Sequence, residues 1–255
     1  MPDVAFVTYR EHPQLMSDDR PLTAELARLG WGARAHCWDE ANVDWTAFAA
    51  VVLRSCWDYH LRPVEFTDWL ARLDQLGVRL WNPTTVVRWN LDKHYLRQLE
   101  AAGVAIPQTA WFEPGTVPDL LRLLEERGWP EAVIKPSISA AGHQTWRTTA
   151  GRVRSDQPRL AHLAVTSGVL VQEFVPEVQT AGELSLVYLA GAYSHAVRKR
   201  PAAGDFAFRS GSAVRRSPIG RPAVPGPRPS ARWPRSRANG STRGSTGLSA
   251  TARSW

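Results

Sequence analysis

Two lysines and one short strand have the side chains needed to bind a nucleotide-like ligand. The lysines suit its phosphates, and the strand suits a planar ring. Lys93 follows Leu91-Asp92, and Lys135 ends the apolar run Ala132-Val133-Ile134. Each ammonium is a point positive charge that suits phosphate oxygens. Downstream, Gln172-Glu173 offers acceptors and backbone groups, and Phe174-Val175 offers an apolar wall for a base. Each piece alone is ambiguous, since strand-end lysines and half-buried strands are common.

The loop Pro136-Ser137-Ile138-Ser139-Ala140-Ala141-Gly142 follows Lys135 directly. Small residues such as Ser137 and Gly142 leave backbone N–H groups open to a phosphate. An ordinary β-turn is the alternative interpretation.

The first 83 residues alternate between apolar strands and helical patterns. Val4–Thr8 and Ala50–Arg54 have the composition of buried strands. The segments 21–29 and 64–76 have helical periodicity, and a glycine follows each of them. Strand, helix, strand, helix predicts a parallel sheet, so we expect a small doubly wound α/β domain at 1–83.

Further along, the pattern is that of an α+β domain. Asp92 is expected to open a helix that buries Tyr95, Leu96 and Leu99 and ends at Gly103. Pro107 is expected to start an extended segment. The other expected elements are a helix at Val117–Arg127, strands at Ala132–Lys135 and Gln144–Arg147, and a hairpin of Glu183–Ala190 with Tyr193–Arg200.

The order and spacing of these motifs resemble the ATP-grasp superfamily. The two lysines are 42 positions apart, Glu173 follows 38 positions later, and Glu183 stands ten positions beyond that. The similarity is to the ribosomal-protein-modification and glutathione-synthetase branch. Trp81-Asn82-Pro83 and the stretch from Leu99 to Pro107 are similar to the cycloserine-pathway cyclo-ligase group. The resemblance covers residues 1 to about 206.

The resemblance implies a nucleotide held between two α+β subdomains, and it assigns roles to individual residues. Lys93, Lys135 and Lys199 would contact the phosphates, with Lys199 as the catalytic cation; a solvated strand end is the alternative for Lys199. The loop with Ser137 and Gly142 would cover the phosphates. The residues implied at the adenosine are Gln172, Glu173, Phe174 and Val175 for adenine and Glu183 for the ribose.

A candidate substrate site follows the second buried strand, at Arg54-Ser55-Cys56-Trp57-Asp58-Tyr59-His60. In open α/β sheets, ligands bind beyond the carboxyl ends of the strands. Arg54 could grip a carboxylate through two hydrogen bonds, and Asp58 and Tyr59 could orient an amine. The alternative is structural: Trp57 and Tyr59 pack between domains, and Arg54 pairs with Asp58.

Composition excludes several classes of protein. Cys37 and Cys56 form no disulfide framework or CxxC pair, and the histidines lack the spacing of a zinc site. The glycine fingerprints of P-loop, Rossmann and hydrolase enzymes are missing. No apolar run approaches the roughly 18 residues of a membrane span, so we expect a cytoplasmic protein.

The excess positive charge lies at the C-terminal end of the chain. Residues 209–255 hold ten arginines and no Lys, Asp or Glu, whereas residues 1–208 carry a net charge of −3. We expect 209–255 to be disordered, after an incomplete ATP-grasp domain at 84–208, because so few apolar residues cannot offset the ordering entropy.

The family pattern of Gly, an acid, Phe, Arg and later Gly-Gly is intact through Gly204-Asp205-Phe206 and breaks at Ala207. Deleting one base from codons for Arg-Val-Gln-Glu-Arg-Phe-Gly-Gly can yield the segment from Ala207 to Val214. We therefore interpret the last 49 residues as an out-of-frame translation.

The resemblance implies Mg²⁺ bound by carboxylates beyond this point. Since 209–255 has no carboxylate side chain, we expect no metal ligands in this copy and no activity. The intact relative would join a carboxylate and an amine through an acylphosphate at the expense of ATP. The alternative is a non-catalytic nucleotide-binding protein whose basic arm contacts nucleic acid.

Overall fold

The computed structural model describes residues 2–189 and 191–200, and the backbone of 215–219. The chain divides into two compact units. The first unit comprises 1–95 with 107–174, and the second comprises 96–106 with 175–255. The domains at 1–83, 84–208 and 209–255 are a different division, drawn from sequence pattern, and stay a prediction.

A parallel sheet forms the N-terminal part of the first unit, which confirms the predicted α/β architecture. Its strands lie in the order β2-β1-β3-β4 and are all parallel. Strand β1 is an inner strand, and the later strands lie on both sides of it. The elements are β1 (Asp3–Thr8), α1 (Arg20–Arg28), β2 (Gly32–Cys37), β3 (Ala50–Leu53), α2 (Pro63–Gln75) and β4 (Leu80–Trp81), with short 3-10 helices at Trp45–Ala47 and Tyr59–Leu61.

Helix α2 shows why these segments fold as they do. Pro63 stands at its start, where the missing N–H costs nothing, and Gly77 follows its end with φ +66°. Between them, residues at helical spacing are buried against the sheet. These residues are Phe66, Trp69, Leu70 and Leu73.

The helix expected to open at Asp92 begins three residues later, at Tyr95. The structure has α3 (Thr84–Leu91) and α4 (Tyr95–Ala101), and Asp92 lies between them with extended backbone. Its carboxylate accepts a hydrogen bond from the His94 backbone N–H at 2.9 Å, and such local bonds compete with the helix. Tyr95, Leu96 and Leu99 are half-buried and not fully buried.

The second sheet of the first unit is antiparallel, in the order β5-β8-β6-β7. Its apolar face packs in one core with residues of α5 and α6, among them Leu120 and Leu160. Helix α5 begins three residues later than expected, because the Asp119 carboxylate caps it by accepting from the Arg122 N–H. The elements are β5 (Thr109–Phe112), α5 (Leu120–Arg127), β6 (Glu131–Pro136), β7 (Trp146–Thr149), α6 (Val153–Thr166) and β8 (Val169–Glu173).

The second unit contains the predicted hairpin. Strands β9 (Glu183–Leu189) and β10 (Ala192–Arg200) pair antiparallel, after the short helix α7 (Glu177–Thr180). Strand β11 (Arg215–Ile219) pairs with β10, although it lies in the segment that we expected to be disordered. A sheet edge presents unpaired N–H and C=O groups that a backbone of almost any composition can satisfy. Residues 201–214 and 220–255, including the predicted break at Ala207, lie outside the described residues.

Candidate functional site

One face of the antiparallel sheet collects the polar residues of the site. Along β6, burial alternates, so that Ala132 and Ile134 face the core while Val133 and Lys135 face the other side. Val133 stands opposite Gln172 on β8 and opposite Arg147 on β7. We call the side of the sheet that carries Lys135, Gln172 and Arg147 the polar face.

Lys135 is held on the polar face by a neutral group. Its Nζ donates to Oε1 of Gln172 at 2.7 Å, and Nε2 of Gln172 donates to Oγ1 of Thr109 at 2.8 Å. Burial lowers the pKa of Lys135 to about 8. Because Gln172 is neutral, a bound anion would stabilise the Lys135 ammonium.

Lys93 lies close enough to Lys135 for the two charges to repel. Its Nζ donates to the backbone oxygen of Ser139 at 2.6 Å, and its backbone N–H donates to the Ser137 oxygen at 2.9 Å. Burial and, to a smaller extent, the charge of Lys135 lower the pKa of Lys93 to about 8, against an opposing effect of Asp92. The structure thus brings together the two lysines that the sequence singled out.

The loop 136–142 differs from its expected form. Ser137 and Ser139 are both 4% exposed, and the Ser137 N–H already donates to the Gly168 oxygen at 2.8 Å. Ala140 packs into the core beneath the parallel sheet. The expectation of an open N–H at Ser137 is therefore wrong, because the loop's small side chains allow close packing. Gly142 has φ +72°, and its phosphate role stays a prediction.

A polar cluster surrounds Ser137. Its Oγ donates to Oδ2 of Asp92 at 3.2 Å, and Oδ1 of Asp92 lies 2.6 Å from Nδ1 of His94. These residues line a cavity of about 290 Å³ together with Gly168 and Glu113. The carboxylate stands between the hydroxyl and the imidazole, so the histidine does not reach the serine as a general base must.

The predicted adenine segment continues from β8. The Glu173 N–H donates to the Gln108 oxygen at 2.9 Å, and the Phe174 N–H donates to the Glu131 oxygen at 3.1 Å. The Arg147 guanidinium lies over the Phe174 ring, 4.1 Å from its centroid, and pairs with the Glu131 carboxylate. Sequence reasoning missed Arg147 and Glu131, because only the strand register brings them to Phe174.

Val175, Glu183 and Lys199 belong to the second unit. Lys199 stands directly opposite Glu183 in the hairpin, and its Nζ lies 3.5 Å from Oε1 of Glu183. The resemblance gave these two residues separate roles, at phosphate and ribose, whereas the structure pairs them with each other. Gly182 makes this pairing possible, because a Cβ there would lie 2.4 Å from the Lys199 backbone oxygen. The ligand roles of all three residues stay predictions.

The candidate substrate residues have partners within the chain. Arg54 Nε donates to Oδ1 of Asp19 at 3.0 Å, and Ser55 Oγ donates to Oδ2 of Asp19 at 2.8 Å. The structural alternative paired Arg54 with Asp58. That prediction is wrong, because Arg54 pairs with Asp19. The paired side chains of Arg54 and Asp19 are 13% and 5% exposed, respectively.

Asp58 and Tyr59 are likewise occupied. Asp58 accepts from the Trp38 indole N–H at 2.8 Å and pairs with Arg62 at 3.1 Å. Tyr59 packs in the core of the parallel sheet, and burial raises its pKa to about 12. A substrate role for Arg54, Asp58 and Tyr59 stays a prediction that must compete with these contacts.

The described residues contain no group of three His, Cys, Asp or Glu side chains that could hold a metal ion. Cys37 and Cys56 are free, and Cys56 is buried. No helix in the described part of the chain is long and apolar enough to cross a membrane. The arginine-rich arm of the alternative interpretation falls on 209–255, where only the β11 backbone is described.

Comparisons with known proteins place this chain in a family. Residues 4–82 match the model of the N-terminal domain of D-cycloserine synthetase DcsG. The cycloserine biosynthesis protein DcsG of Streptomyces lavendulae is 34% identical over 188 residues, which are 71% of this chain and 62% of that protein. The chain thus spans less than two thirds of this curated relative.

Solved structures agree with this match. The crystal structure of D-cycloserine synthetase DcsG has a TM-score of 0.71 at 32% identity, covering 78% of this chain and 68% of that chain. A RimK domain ATP-grasp protein of Sphaerobacter thermophilus has a TM-score of 0.60 at 20% identity, covering 76% and 71%. D-alanine–D-alanine ligase of Bacillus anthracis, complexed with ATP, has a TM-score of 0.56 at 13% identity, covering 88% and 72%, and shares the fold. By its similarity to DcsG and its fold, the chain belongs to the ATP-grasp ligases, in the group of the cycloserine-pathway cyclo-ligase.

Proposed function

We propose that this chain binds ATP on the polar face, with the triphosphate between Lys93 and Lys135. The observation that best supports this proposal is the pair of neighbouring ammonium groups, whose pKa values are each lowered to about 8. Their side-chain hydrogen bonds among the described residues go to neutral oxygens, those of Ser137, Ser139 and Gln172. Two partly buried cations whose side-chain hydrogen bonds go to neutral groups are stabilised when a polyanion binds.

Composition supports the same site. The chain has three lysines, Lys93, Lys135 and Lys199, and arginine supplies every other permanent positive charge of its side chains. A buried lysine can lose its proton, whereas an arginine stays charged. The resemblance assigns all three lysines to phosphates, and two of them, Lys93 and Lys135, are close enough for their charges to repel.

We propose ATP-dependent joining of a carboxylate and an amine as the reaction of an intact relative of this chain. A carboxylate oxygen attacks the γ-phosphorus and ADP departs, which leaves an acylphosphate. An amine nitrogen then attacks the acyl carbon, phosphate departs, and the nitrogen loses a proton. Lys93 and Lys135 would neutralise the phosphates and hold them in place. The segment Glu173-Phe174-Val175 would receive adenine, and Glu183 the ribose.

The described residues offer Mg²⁺ no set of three ligands. The carboxylates that the resemblance assigns to Mg²⁺ belong after Ala207, outside the described residues. We propose that residues 207–255 are translated out of frame and that this polypeptide binds ATP without completing ligation. Sequencing the coding DNA tests this point. An alternative frame that encodes an acid and a Glu-rich strand supports it, and early stop codons contradict it.

Titration calorimetry of the full chain with ATP tests the binding site. Lys93→Met and Lys135→Met should each weaken ATP binding by about tenfold or more, the typical loss for one charge-assisted phosphate contact. Arg159→Ala is a matched control, since it also removes a cation but one that lies over Trp146 on the apolar side of the sheet. Equal ATP affinity in all four proteins would sink the proposal.

A labelling experiment locates the nucleotide independently. With only three lysines in the chain, amine acetylation at about pH 8 followed by mass spectrometry reports each site separately. ATP should protect Lys93 and Lys135, and adenosine should not. Labelling of both lysines that is unaffected by saturating ATP would place the nucleotide elsewhere.

A further inference from the structure

The imidazole rings of His60 and His143 are in contact, and no step of the phosphate chemistry uses them. His60 belongs to the short 3-10 helix after β3, and His143 directly follows the loop 136–142. The ring centroids are 4.9 Å apart, and the ring planes are tilted by 59°. His60 is half-buried, whereas His143 is exposed and can be reached by a ligand.

The histidine pair lies within electrostatic reach of Lys93. Burial and the neighbouring His143 and Lys93 lower the pKa of His60. The Trp57 backbone and the Asp58 carboxylate oppose this shift. Three basic side chains from separate parts of the chain therefore come together here.

A tight turn fixes the backbone of His143. Its N–H donates to the Ala140 oxygen at 2.9 Å, and its carbonyl oxygen accepts from Oγ of Ser139 at 2.9 Å. The next residue, Gln144, has φ +48°, a left-handed conformation that is uncommon for residues other than glycine. The backbone oxygen of Ser139 also accepts from Nζ of Lys93 at 2.6 Å. One residue therefore joins Lys93 to the turn that carries His143.

The register of the antiparallel sheet gives the direction in which the proposed nucleotide would run. Glu173, in the segment proposed for adenine, stands opposite Ala132, and Lys135 lies three residues further along β6. From ordinary strand dimensions, these three residues span roughly 10 Å, from the base toward the end of β6. A triphosphate that continues in this direction passes Lys135 and Lys93 and then meets the turn that carries His143.

We propose that His143 binds the terminal phosphate of ATP and that His60 positions the His143 ring. An imidazole donates a hydrogen bond from a ring N–H, and it carries a positive charge when it is protonated. The contact requires a nucleotide with phosphates beyond the first, so it would favour ATP over AMP. The inference deepens the proposed function and rests on it.

The test compares ATP with AMP, which keeps the base, the ribose and the first phosphate. Affinities of the full chain for both are measured by titration calorimetry at about pH 6.5, where an imidazole is partly protonated, in a buffer without carboxylates. His143→Ala should weaken ATP binding roughly tenfold, the scale of one charge-assisted hydrogen bond, and leave AMP binding within about twofold. His143→Lys should keep most of the ATP affinity, because it keeps a cation at this place. His162→Ala is the matched control, since it removes another exposed histidine, on α6, and both affinities should stay within about twofold.

Two substitutions of His60 test its positioning role. His60→Phe keeps a flat ring against His143 and should keep the ATP affinity within about threefold. His60→Ala removes the ring and should weaken ATP binding nearly as much as His143→Ala does. AMP binding by both variants should stay within about twofold of the wild type, which shows that the proteins are folded. Equal ATP affinities of His60→Phe and His60→Ala would overturn the role of His60.

The outcomes distinguish this inference from the proposed function. A His143→Ala variant that binds ATP as well as the wild type does, or that loses ATP and AMP affinity equally, overturns the role of His143 alone. An equal loss of ATP affinity in His143→Lys and His143→Ala also overturns it, because a cation would then make no difference. If the wild-type chain binds neither nucleotide, the ATP site itself is wrong and the inference fails with it.

Discussion

The ammonium of Lys135 donates to the amide oxygen of Gln172 at 2.7 Å, across two adjacent antiparallel strands. Gln172 is neutral, so it satisfies one hydrogen bond without neutralising the charge. A carboxylate at the same place would stabilise the ammonium and compete with a phosphate for it. The neutral partner keeps Lys135 in position for an anionic ligand, at a cost in the stability of the unliganded protein.

ATP binding should weaken as the pH rises through 8. The pKa values of Lys93 and Lys135 are lowered to about 8, so both ammonium groups lose their protons above that pH. Since phosphate binds the charged form, affinity should fall by up to about tenfold per pH unit for each lysine. Calorimetry at about pH 7 and pH 9.5, in two buffers of different ionisation enthalpy, measures affinity and proton uptake. An affinity that does not change over this range would show that neither lysine titrates in the site.

The stability of the unliganded protein should rise over the same range of pH. The pKa of Lys135 is lower in the folded state than in the unfolded chain, so the folded state binds fewer protons between about pH 8 and 10.5. From about pH 7.5 to 9.5, Lys135 should add roughly 1–2 kcal/mol to the free energy of unfolding. Lys135→Met should remove this contribution, which urea unfolding of both proteins at each pH measures. Parallel pH profiles would contradict the lowered pKa.

The ion pair of Arg54 with Asp19 should be needed for folding. Arg54→Ala leaves a carboxylate that is 5% exposed without its cation, and breaking a buried pair costs about 3–5 kcal/mol. The double variant Arg54→Ala with Asp19→Ala should recover part of this loss. Arg10→Ala is the control, because Arg10 is 73% exposed in its own ion pair and should cost less than about 1 kcal/mol. If Arg54→Ala unfolds no more readily than the control, Arg54 is available to a substrate carboxylate.

Gly168 should not tolerate a side chain. A Cβ at this position would lie 2.9 Å from Oγ and 3.3 Å from Cβ of Ser137. Gly168→Ala should displace Ser137, destabilise the protein by about 1–3 kcal/mol and weaken ATP binding through the segment that holds Lys93. Gly151→Ala is the matched control, since its Cβ would meet only Thr149 Oγ1 at 3.9 Å. Thermal unfolding and ATP titration of the two variants should therefore differ, and equal behaviour would argue against tight packing at Ser137.

Local pattern predicted much of the fold. Apolar strands followed by helices with terminal glycines predicted a parallel sheet, although only β1 and β3 of its four strands were identified, and alternation predicted the hairpin of β9 and β10. The helix predicted to open at Asp92 begins at Tyr95, because the Asp92 carboxylate accepts from the His94 N–H, and the preceding helix α3 was not predicted. It also gave no indication of β11, because pairing at a sheet edge uses backbone groups that composition does not reveal.

The sequence by itself determined which residues have the right chemistry: three lysines, a strand ending in Gln172-Glu173, and an arginine after a buried strand. Only the tertiary structure decided how each is used. It buried Lys93 and Lys135 beside each other, turned Arg54 toward Asp19, and laid Arg147 on Phe174. The physical reason is that burial and strand register join residues far apart in the chain. Protonation and ion pairing depend on those neighbours, whereas residue type and periodicity are local properties.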